Sequence, residues 1–171
     1  MRQEIRILAG EVTGPEVADA TYPSSMTRDE LKVFEGRTIL RIRRAFFEVG
    51  ETTNRSNGLL EVTFDGGLCT VFDGASDRQS LRVEPGEWVD PFADSLSPEN
   101  GDFVATSGKW SAFDVSGDAP FDRIVGALVV RVGAVLDDFG VVSGVLLETD
   151  DAALLVENRF DDFFVSVIDL V

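Results

Sequence analysis

Residues 154–167, LLVENRFDDFFVSV, place two aspartates inside an otherwise strongly apolar run. The residues on either side are rich in β-branched and aromatic side chains, which are typical of half-buried strands. Asp161 and Asp162 then fall between two strands, where aspartate accepts backbone hydrogen bonds and tolerates left-handed backbone conformations. The stretch therefore predicts a β-hairpin with an acidic turn.

The same pattern runs through most of the chain, whereas helical periodicity is scarce. The predicted strands are residues 36–49, 58–64, 68–72, 80–83, 126–136, 144–149, 153–158 and 163–170. Short helical turns are expected only at 26–34, where Thr27 and Glu30 have the spacing of a capping box, and at 90–96. The predicted fold class is all-β and mainly antiparallel, with at most one or two short helical turns.

The first four predicted strands align with the last four. With 171 residues and 44% hydrophobic content, the chain is long enough to bury a substantial core. We therefore predict a single globular domain, residues 1–171, with an internal duplication: two sequence-related four-strand units packed as a sandwich or a barrel-like domain. The units are residues 36–83 and 126–167, and the alignment places Asp77 against Asp161.

The net charge of -16 is the strongest compositional signal, and it is uneven along the chain. Residues 1–44 contain eight Lys and Arg against seven Asp and Glu, a net of +1. The remaining seven bases and 24 acids give residues 45–171 a net of -17. Such a field repels nucleic acid phosphates and anionic membranes, and it attracts cationic proteins. We expect a basic protein partner and neither nucleic acid nor membrane binding; the alternative is that the acidity serves solubility alone.

A connection of different composition, residues 84–122, joins the two units. It contains four of the six prolines and both tryptophans among many acids. Its aromatic residues either fold back onto the core or form an acidic, aromatic surface for a basic partner. The residues of that candidate surface are Glu87, Trp88, Asp90, Phe92, Asp94 and Trp110.

Two smaller groups of charged residues are candidates for ion binding. Asp-Asp pairs are weak candidates for a cation, because hard cations take carboxylate oxygens, but none has the spacing of a calcium loop. The weak candidates are Asp150, Asp151, Asp161 and Asp162; no metal site or cofactor is predicted. Arg41, Arg43 and Arg44 are expected to form a solvated outer face of their strand, to bind an anion, or to pair with acids of the second unit.

Composition also excludes most catalytic arrangements. The chain has no histidine and a single cysteine, so Ser-His-Asp and Cys-His catalysis and zinc sites built on histidine or paired cysteines are excluded. Cys69 lies in an apolar strand and is expected to be a small buried side chain rather than a nucleophile. Two carboxylates suffice for glycoside hydrolysis, but 31 acids offer such pairs by chance.

These observations support three hypotheses about function. The first is a non-catalytic acidic module that binds a basic protein, such as an immunity-type inhibitor that masks the cationic active site of a bacterial toxin or nuclease. The second is a structural or accessory β domain whose acidity serves solubility. The third is a carboxylate-based hydrolase. The N-terminal residues do not form a signal peptide, and no apolar segment approaches the roughly 20 residues of a membrane span, so a cytoplasmic location is expected.

Overall fold

The computed structural model describes residues 26–92, 97–160 and 162–170. Antiparallel β-strands dominate these residues, which confirms the predicted all-β class. The strands are β1 (Ile39–Val49), β2 (Thr52–Asn54), β3 (Leu60–Phe64), β4 (Cys69–Gly74), β5 (Leu81–Pro85), β6 (Lys109–Asp114), β7 (Arg131–Leu136), β8 (Val142–Glu148), β9 (Ala152–Arg159) and β10 (Asp162–Asp169). The helices are α1 (Arg28–Leu31) and α2 (Pro98–Ser107), with 3-10 turns at Lys32–Phe34, Asp65–Gly67 and Phe121–Arg123.

The strands form two separate sheets, which face each other as a sandwich and do not close into a barrel. In the six-stranded sheet, β3, β4 and β5 follow β1 in order, and β2 pairs with the end of β1 on the same edge as β3. β6 pairs with the opposite edge of β1. The four-stranded sheet is a simple meander in the order β7, β8, β9, β10.

The hydrophobic core lies between the sheets and beneath α1. β4 packs against β9 and β10, and β5 packs against β8. The ring of Phe34, just after α1, stacks on Phe64 with centroids 5.1 Å apart and lies 5.5 Å from Phe72. Residues of β1, β3, β4 and β5 enter this core from the first sheet, and residues of β7 to β10 enter it from the second. Further fully buried side chains are Leu31, Ile39, Ile42, Leu60, Leu81, Ile124, Leu147 and Leu154.

The predicted helical turn at 26–34 is present and is capped as its sequence indicates. The Thr27 hydroxyl accepts from the Glu30 amide at 3.4 Å, and the Glu30 carboxylate accepts from the Thr27 amide at 2.7 Å. Residues 90–92 of the predicted turn at 90–96 are not helical and residues 93–96 lie outside the described residues, so this turn stays a prediction. The helix starts later, with Ser97 as its N-cap and Pro98 as its first residue.

The predicted strand 126–136 is divided between the two sheets. Residues before Arg131 hydrogen-bond to the start of β1: the Gly126 amide donates to the Ile39 carbonyl at 2.7 Å, and the Val129 amide donates to the Arg37 carbonyl at 2.8 Å. The Val130 amide already donates to the Glu148 carbonyl of β8 at 2.8 Å, and from Arg131 onward the chain runs in the second sheet as β7. This segment therefore carries the chain from one sheet to the other.

Each of the two predicted units forms one antiparallel run of four main strands. Strands β1, β3, β4 and β5 are consecutive neighbours in the first sheet, as β7 to β10 are in the second. The connecting segment is more than a linker, because it supplies α2 and adds β6 to the first sheet. That the two units arose by duplication and superpose stays a prediction.

The close packing of β8 on β9 yields a test of the second sheet. A side chain at Gly144 would place its Cβ 2.4 Å from the Val156 carbonyl oxygen, which belongs to the neighbouring strand. We expect Gly144→Ala to lower the free energy of unfolding by about 2 kcal/mol, because strand backbone must move to admit the methyl group. Urea denaturation followed by circular dichroism measures this change.

Gly133 in β7 provides the matched control for that substitution. A Cβ at Gly133 would lie 3.7 Å from the Leu146 Cβ, which is ordinary van der Waals contact. Gly133→Ala should leave the free energy of unfolding unchanged or raise it by up to about 1 kcal/mol, because alanine loses less backbone entropy on folding. Equal losses in the two variants would contradict the close approach of β8 and β9 at Gly144.

Candidate partner-binding surface

The start of the acidic, aromatic connection lies on the outer face of the six-stranded sheet. The Trp88 amide donates to Glu61 Oε2 of β3 at 2.7 Å, and Arg43 of β1 donates to the Trp88 carbonyl oxygen at 3.1 Å. Arg43 and Glu61 are opposite each other in register and alternate with Ile42 and Val62, which are buried in the core. Their side chains therefore hold Trp88 on the face away from the core.

The Glu61 carboxylate is the buried electrostatic centre of this region, with a side chain only 1% exposed. Arg43 binds both of its oxygens, with Nε 2.7 Å from Oε1, and Arg41 Nη2 lies 3.3 Å from Oε1. Burial raises the pKa of Glu61, but hydrogen bonds from Arg43 and the Trp88 amide outweigh burial and hold that pKa below its usual value. The carboxylate is ionised at neutral pH, and its oxygens are occupied by structural donors.

The arginines of β1 have different partners from those expected. Arg41 and Arg43 pair with Glu61, and Arg41 also lies 3.7 Å from Glu87. These acids belong to the first unit and to the connection, so the expected pairing with the second unit is wrong. The reason is register, because β3 places Glu61 directly beside Arg43.

Arg44 points to the opposite side of β1 from Arg43. It is buried, and it donates to the carbonyl oxygens of Gly58 at 2.9 Å and Leu59 at 3.3 Å. Its guanidinium carbon lies 5.3 Å from the centroid of the Phe46 ring. Burial lowers the pKa of Arg44 to about 10, so the side chain remains charged at neutral pH. Arg44 is therefore not part of the outer face.

The described acids of the candidate surface are partly neutralised. Asp90 Oδ2 accepts from Lys109 Nζ at 2.7 Å, and Asp90 Oδ1 accepts from the Phe92 amide at 2.7 Å. Burial raises the pKa of Asp90, but the two hydrogen bonds and the charge of Lys109 together outweigh burial, so the pKa lies below its usual value. Glu87 is 62% exposed beside Arg41. Asp94 lies outside the described residues.

The aromatic residues of the candidate surface occupy three places on or beside this face. Trp88 is half-buried, and its backbone is held by Glu61 and Arg43. Phe92 packs against Phe103 of α2 at 6.3 Å between ring centroids. Trp110 of β6 is 42% exposed and packs edge-on against Phe47 of β1 at 5.5 Å. Of the five predicted residues that the structure describes, Glu87 and Trp88 lie beside β1, Asp90 contacts Lys109 of β6, Trp110 belongs to β6, and Phe92 packs on α2.

The weak candidates for cation binding lie at opposite ends of β9. Asp150 and Asp151 are in the turn before β9, whereas Asp162 is the first residue of β10 and pairs with Arg159 at the other end of β9. Asp161 lies outside the described residues. Across residues 26–92, 97–160 and 162–170, no group of three or more acids or cysteines is arranged to hold a metal ion.

Cys69 has the character expected of a structural thiol. It is partly buried in β4, and the Thr63 hydroxyl lies 3.6 Å from its Sγ. Burial has the largest effect and raises the pKa of the thiol; the Thr63 contact lowers this pKa by less, and the carboxylates of Glu61 and Glu87 add smaller increases. The thiol is therefore protonated at neutral pH and is a poor nucleophile.

Two exposed phenylalanines at the end of the second sheet were missed by the sequence analysis. Phe139, in the turn between β7 and β8, is 82% exposed, and Phe160, between β9 and β10, is 87% exposed. Asp138 and Asp162 are the exposed acids next to these turns. We call Asp138, Phe139, Phe160 and Asp162 the tip surface. Its signal in the sequence is a phenylalanine beside an Asp-Asp pair within a predicted turn.

Most cations of the described residues are already paired with acids of the same chain. The ion-paired cations are Lys32, Arg37, Arg41, Arg43, Arg82, Lys109, Arg123, Arg131 and Arg159. Asp138 and Asp162, by contrast, form no ion pair with the part of the chain that the structure describes. The surplus negative charge is therefore carried by exposed carboxylates such as these.

Comparison of the chain with models of protein families, with curated proteins and with solved structures returned no match. Among the described residues, no helix has the length and apolar character needed to cross a membrane.

The Glu61 cluster predicts a specific loss of stability. Glu61→Gln should lower the free energy of unfolding at pH 7 by about 3 kcal/mol, because it breaks a buried ion pair and leaves Arg43 without its charged partner. Glu87→Gln is the matched control and should change it by no more than about 1 kcal/mol, since Glu87 is exposed. Urea denaturation of the three proteins measures both effects.

The stability advantage of wild type over Glu61→Gln should shrink at acid pH. The folded-state pKa of Glu61 is lowered, so its contribution is complete above the unfolded-state pKa of about 4.3 and is lost as the pH falls through the lower folded-state pKa. The stability difference between wild type and Glu61→Gln should be constant above about pH 5 and shrink below about pH 4. A pH-independent difference would show that the ionised carboxylate is not what stabilises the fold.

Proposed function

We propose that this chain is a non-catalytic module that binds a basic protein. The observation that carries the proposal is the distribution of charge: the chain's cations are largely used in internal ion pairs, while carboxylates remain exposed beside large apolar side chains. Opposite charge steers a basic protein toward such a surface, and exposed aromatic residues can then bury in it. The overall charge of -16 disfavours phosphate-bearing partners.

The chemistry of the buried carboxylates supports a non-catalytic role. Glu61 is surrounded by Arg41, Arg43 and the Trp88 amide, which hold it ionised. Glu148 is buried at the register position opposite Arg131 and pairs with it. A general acid needs the reverse, a carboxylic acid whose pKa is raised toward neutrality. These two carboxylates serve as partners of arginines. A carboxylate-based hydrolase is therefore the least favoured of the three functional hypotheses.

The more specific form of the proposal is an immunity-type inhibitor. A small acidic protein of the bacterial cytoplasm would place carboxylates and aromatic anchors over the cationic active site of a toxin or nuclease and so exclude its substrate. Small size and strong acidity favour this form. The second candidate is an accessory β domain whose charge only maintains solubility, and it is favoured by the neutralisation of Glu87 and Asp90 by Arg41 and Lys109.

Affinity capture from a lysate of the source cell distinguishes these candidates. The immobilised chain should retain one basic protein at about equal molar amount, and mass spectrometry should identify the same protein at low and moderate salt. An unrelated acidic protein of equal net charge, immobilised at the same density, is the control for generic attraction. Capture of many proteins that all dissociate at moderate salt, equally from both resins, would favour the accessory domain and contradict the binding module.

A retained protein should then be purified and its association measured directly. The association rate constant should fall as ionic strength rises, because charge steering is screened over about 10 Å at 0.1 M salt. The dissociation rate should change less, since it depends on buried contacts. An association rate independent of salt would contradict a role for the surplus carboxylates.

A further inference from the structure

The tip surface is produced by the topology of the second sheet. In the meander β7–β8–β9–β10, the first and third turns lie at the same end of the sheet. The middles of these turns are two interstrand spacings apart, about 10 Å. Phe139 belongs to the first turn and Phe160 to the third. The turns that carry the two most exposed large apolar residues of the described chain therefore lie side by side at one end of the sheet.

The turn that holds Phe139 has a fixed backbone. Asp137 Oδ1 accepts from the Phe139 amide at 2.9 Å and from the Val141 amide at 2.8 Å. Gly140 provides the positive φ of 81° that closes the turn. Phe139 is thus presented on a rigid loop, which lowers the entropy lost when an aromatic side chain is buried by a partner.

The conformation of Phe160 conflicts with its residue type. Its φ is 51°, in the left-handed region that Gly, Asn and Asp adopt readily and that large side chains disfavour. β9 ends at Arg159 and β10 begins at Asp162, so the residue follows from a two-residue connection. A glycine or asparagine would suit this turn better. An exposed aromatic residue in an unfavourable conformation indicates a role outside folding.

Charge identifies the kind of partner that fits these side chains. Asp138 and Asp162 are exposed at the same turns and form no ion pair with described residues. A second copy of the chain would bring like charges together, whereas a basic protein would neutralise them. Arg159, which precedes Phe160, is already paired with Glu157 and lies over the ring of Phe164. The acids of the tip surface therefore remain available to the cations of a partner.

We propose that Phe139 and Phe160 are the aromatic anchors by which this chain binds a basic protein, inserting into an apolar pocket rimmed by Lys and Arg, with Asp138 and Asp162 facing those cations. This inference rests on the proposed function and assigns it a surface. It moves the principal contact away from the Glu87–Trp88–Asp90 region, whose charges are partly neutralised internally.

The test uses two substitutions that preserve the fold. Phe160→Asn places a residue that tolerates left-handed conformations at the turn, so the thermal midpoint should stay equal or rise. Phe139→Ser removes an exposed ring and leaves the turn hydrogen bonds of Asp137 in place. Val89→Ser is the matched control, because Val89 is 75% exposed in the connection on the other sheet.

The probes are two synthetic peptides of equal length and charge, one alternating lysine with leucine and tryptophan and the other alternating lysine with serine. Calorimetry should show that wild type binds the apolar peptide at least tenfold more tightly than the serine peptide. The Phe139→Ser/Phe160→Asn double variant should lose at least tenfold of that affinity, and Val89→Ser should retain it. Amide shift mapping should locate the bound apolar peptide at residues 138–142 and 158–164.

Other results would overturn the tip assignment in distinguishable ways. If Val89→Ser loses affinity for the apolar peptide and the double variant keeps it, the binding surface is the connection and not the tip. The proposed function would then still stand. Equal binding of both peptides by every protein would show that charge alone acts and that the phenylalanines are not anchors. Sedimentation that reveals a dimer abolished by the double variant would make a second copy the occupant. If the double variant binds the apolar peptide normally and wild type still captures a basic protein from the lysate, the tip assignment is refuted and the proposed function stands. If wild type captures no basic protein, the proposed function itself is refuted.

Discussion

Burial of the Glu61 carboxylate is the constraint on which the six-stranded sheet depends. A carboxylate removed from water is stable only where donors replace its hydration, and here they come from β1 and from the Trp88 amide. Because Trp88 lies between β5 and β6 along the chain, satisfying Glu61 fixes the path of the connection across the sheet. After the connection, β6 pairs antiparallel with β1. The buried carboxylate of Glu61 in β3 therefore links β3 to β1 and to the connection that leads into β6.

The strands were predictable because alternation is a local consequence of one buried face. The elements of the connection, α2 and β6, were not predictable, because neither has fully buried residues that would produce such a pattern. None of the side chains of α2 is buried, so it has no apolar periodicity to detect. No side chain of β6 is fully buried either: four are half-buried and two are exposed. The strand exists through pairing with β1, in which Asp114 lies opposite Arg43, 71 positions earlier in the chain. Such pairing leaves no short-range mark in the sequence.

For the candidate site, too, the sequence predicts which residues are charged but not which residues they pair with. Composition counts charges but does not assign their partners, and the pairs Arg41–Glu87 and Lys109–Asp90 join residues from separate elements. The acids expected to face a partner are thus partly used within the fold. Phe160 is a different case, since its signal is local: an aromatic residue where turn chemistry favours a polar one. Conflicts of this kind between local preference and observed residue concentrate at functional positions.

The location of the surplus charge follows from where the cations are used. Arg41, Arg43 and Lys109 neutralise the outer face of the six-stranded sheet, whereas the turns at one end of the second sheet keep Asp138 and Asp162 unpaired with described residues. In a four-strand meander, alternate turns share an end, so the turns that carry Phe139 and Phe160 lie side by side. The intervening turn carries Asp150 and Asp151 at the opposite end and contains no aromatic residue. Exposed acids therefore occur at both ends of the second sheet, and the topology distinguishes the end at which both exposed phenylalanine turns meet.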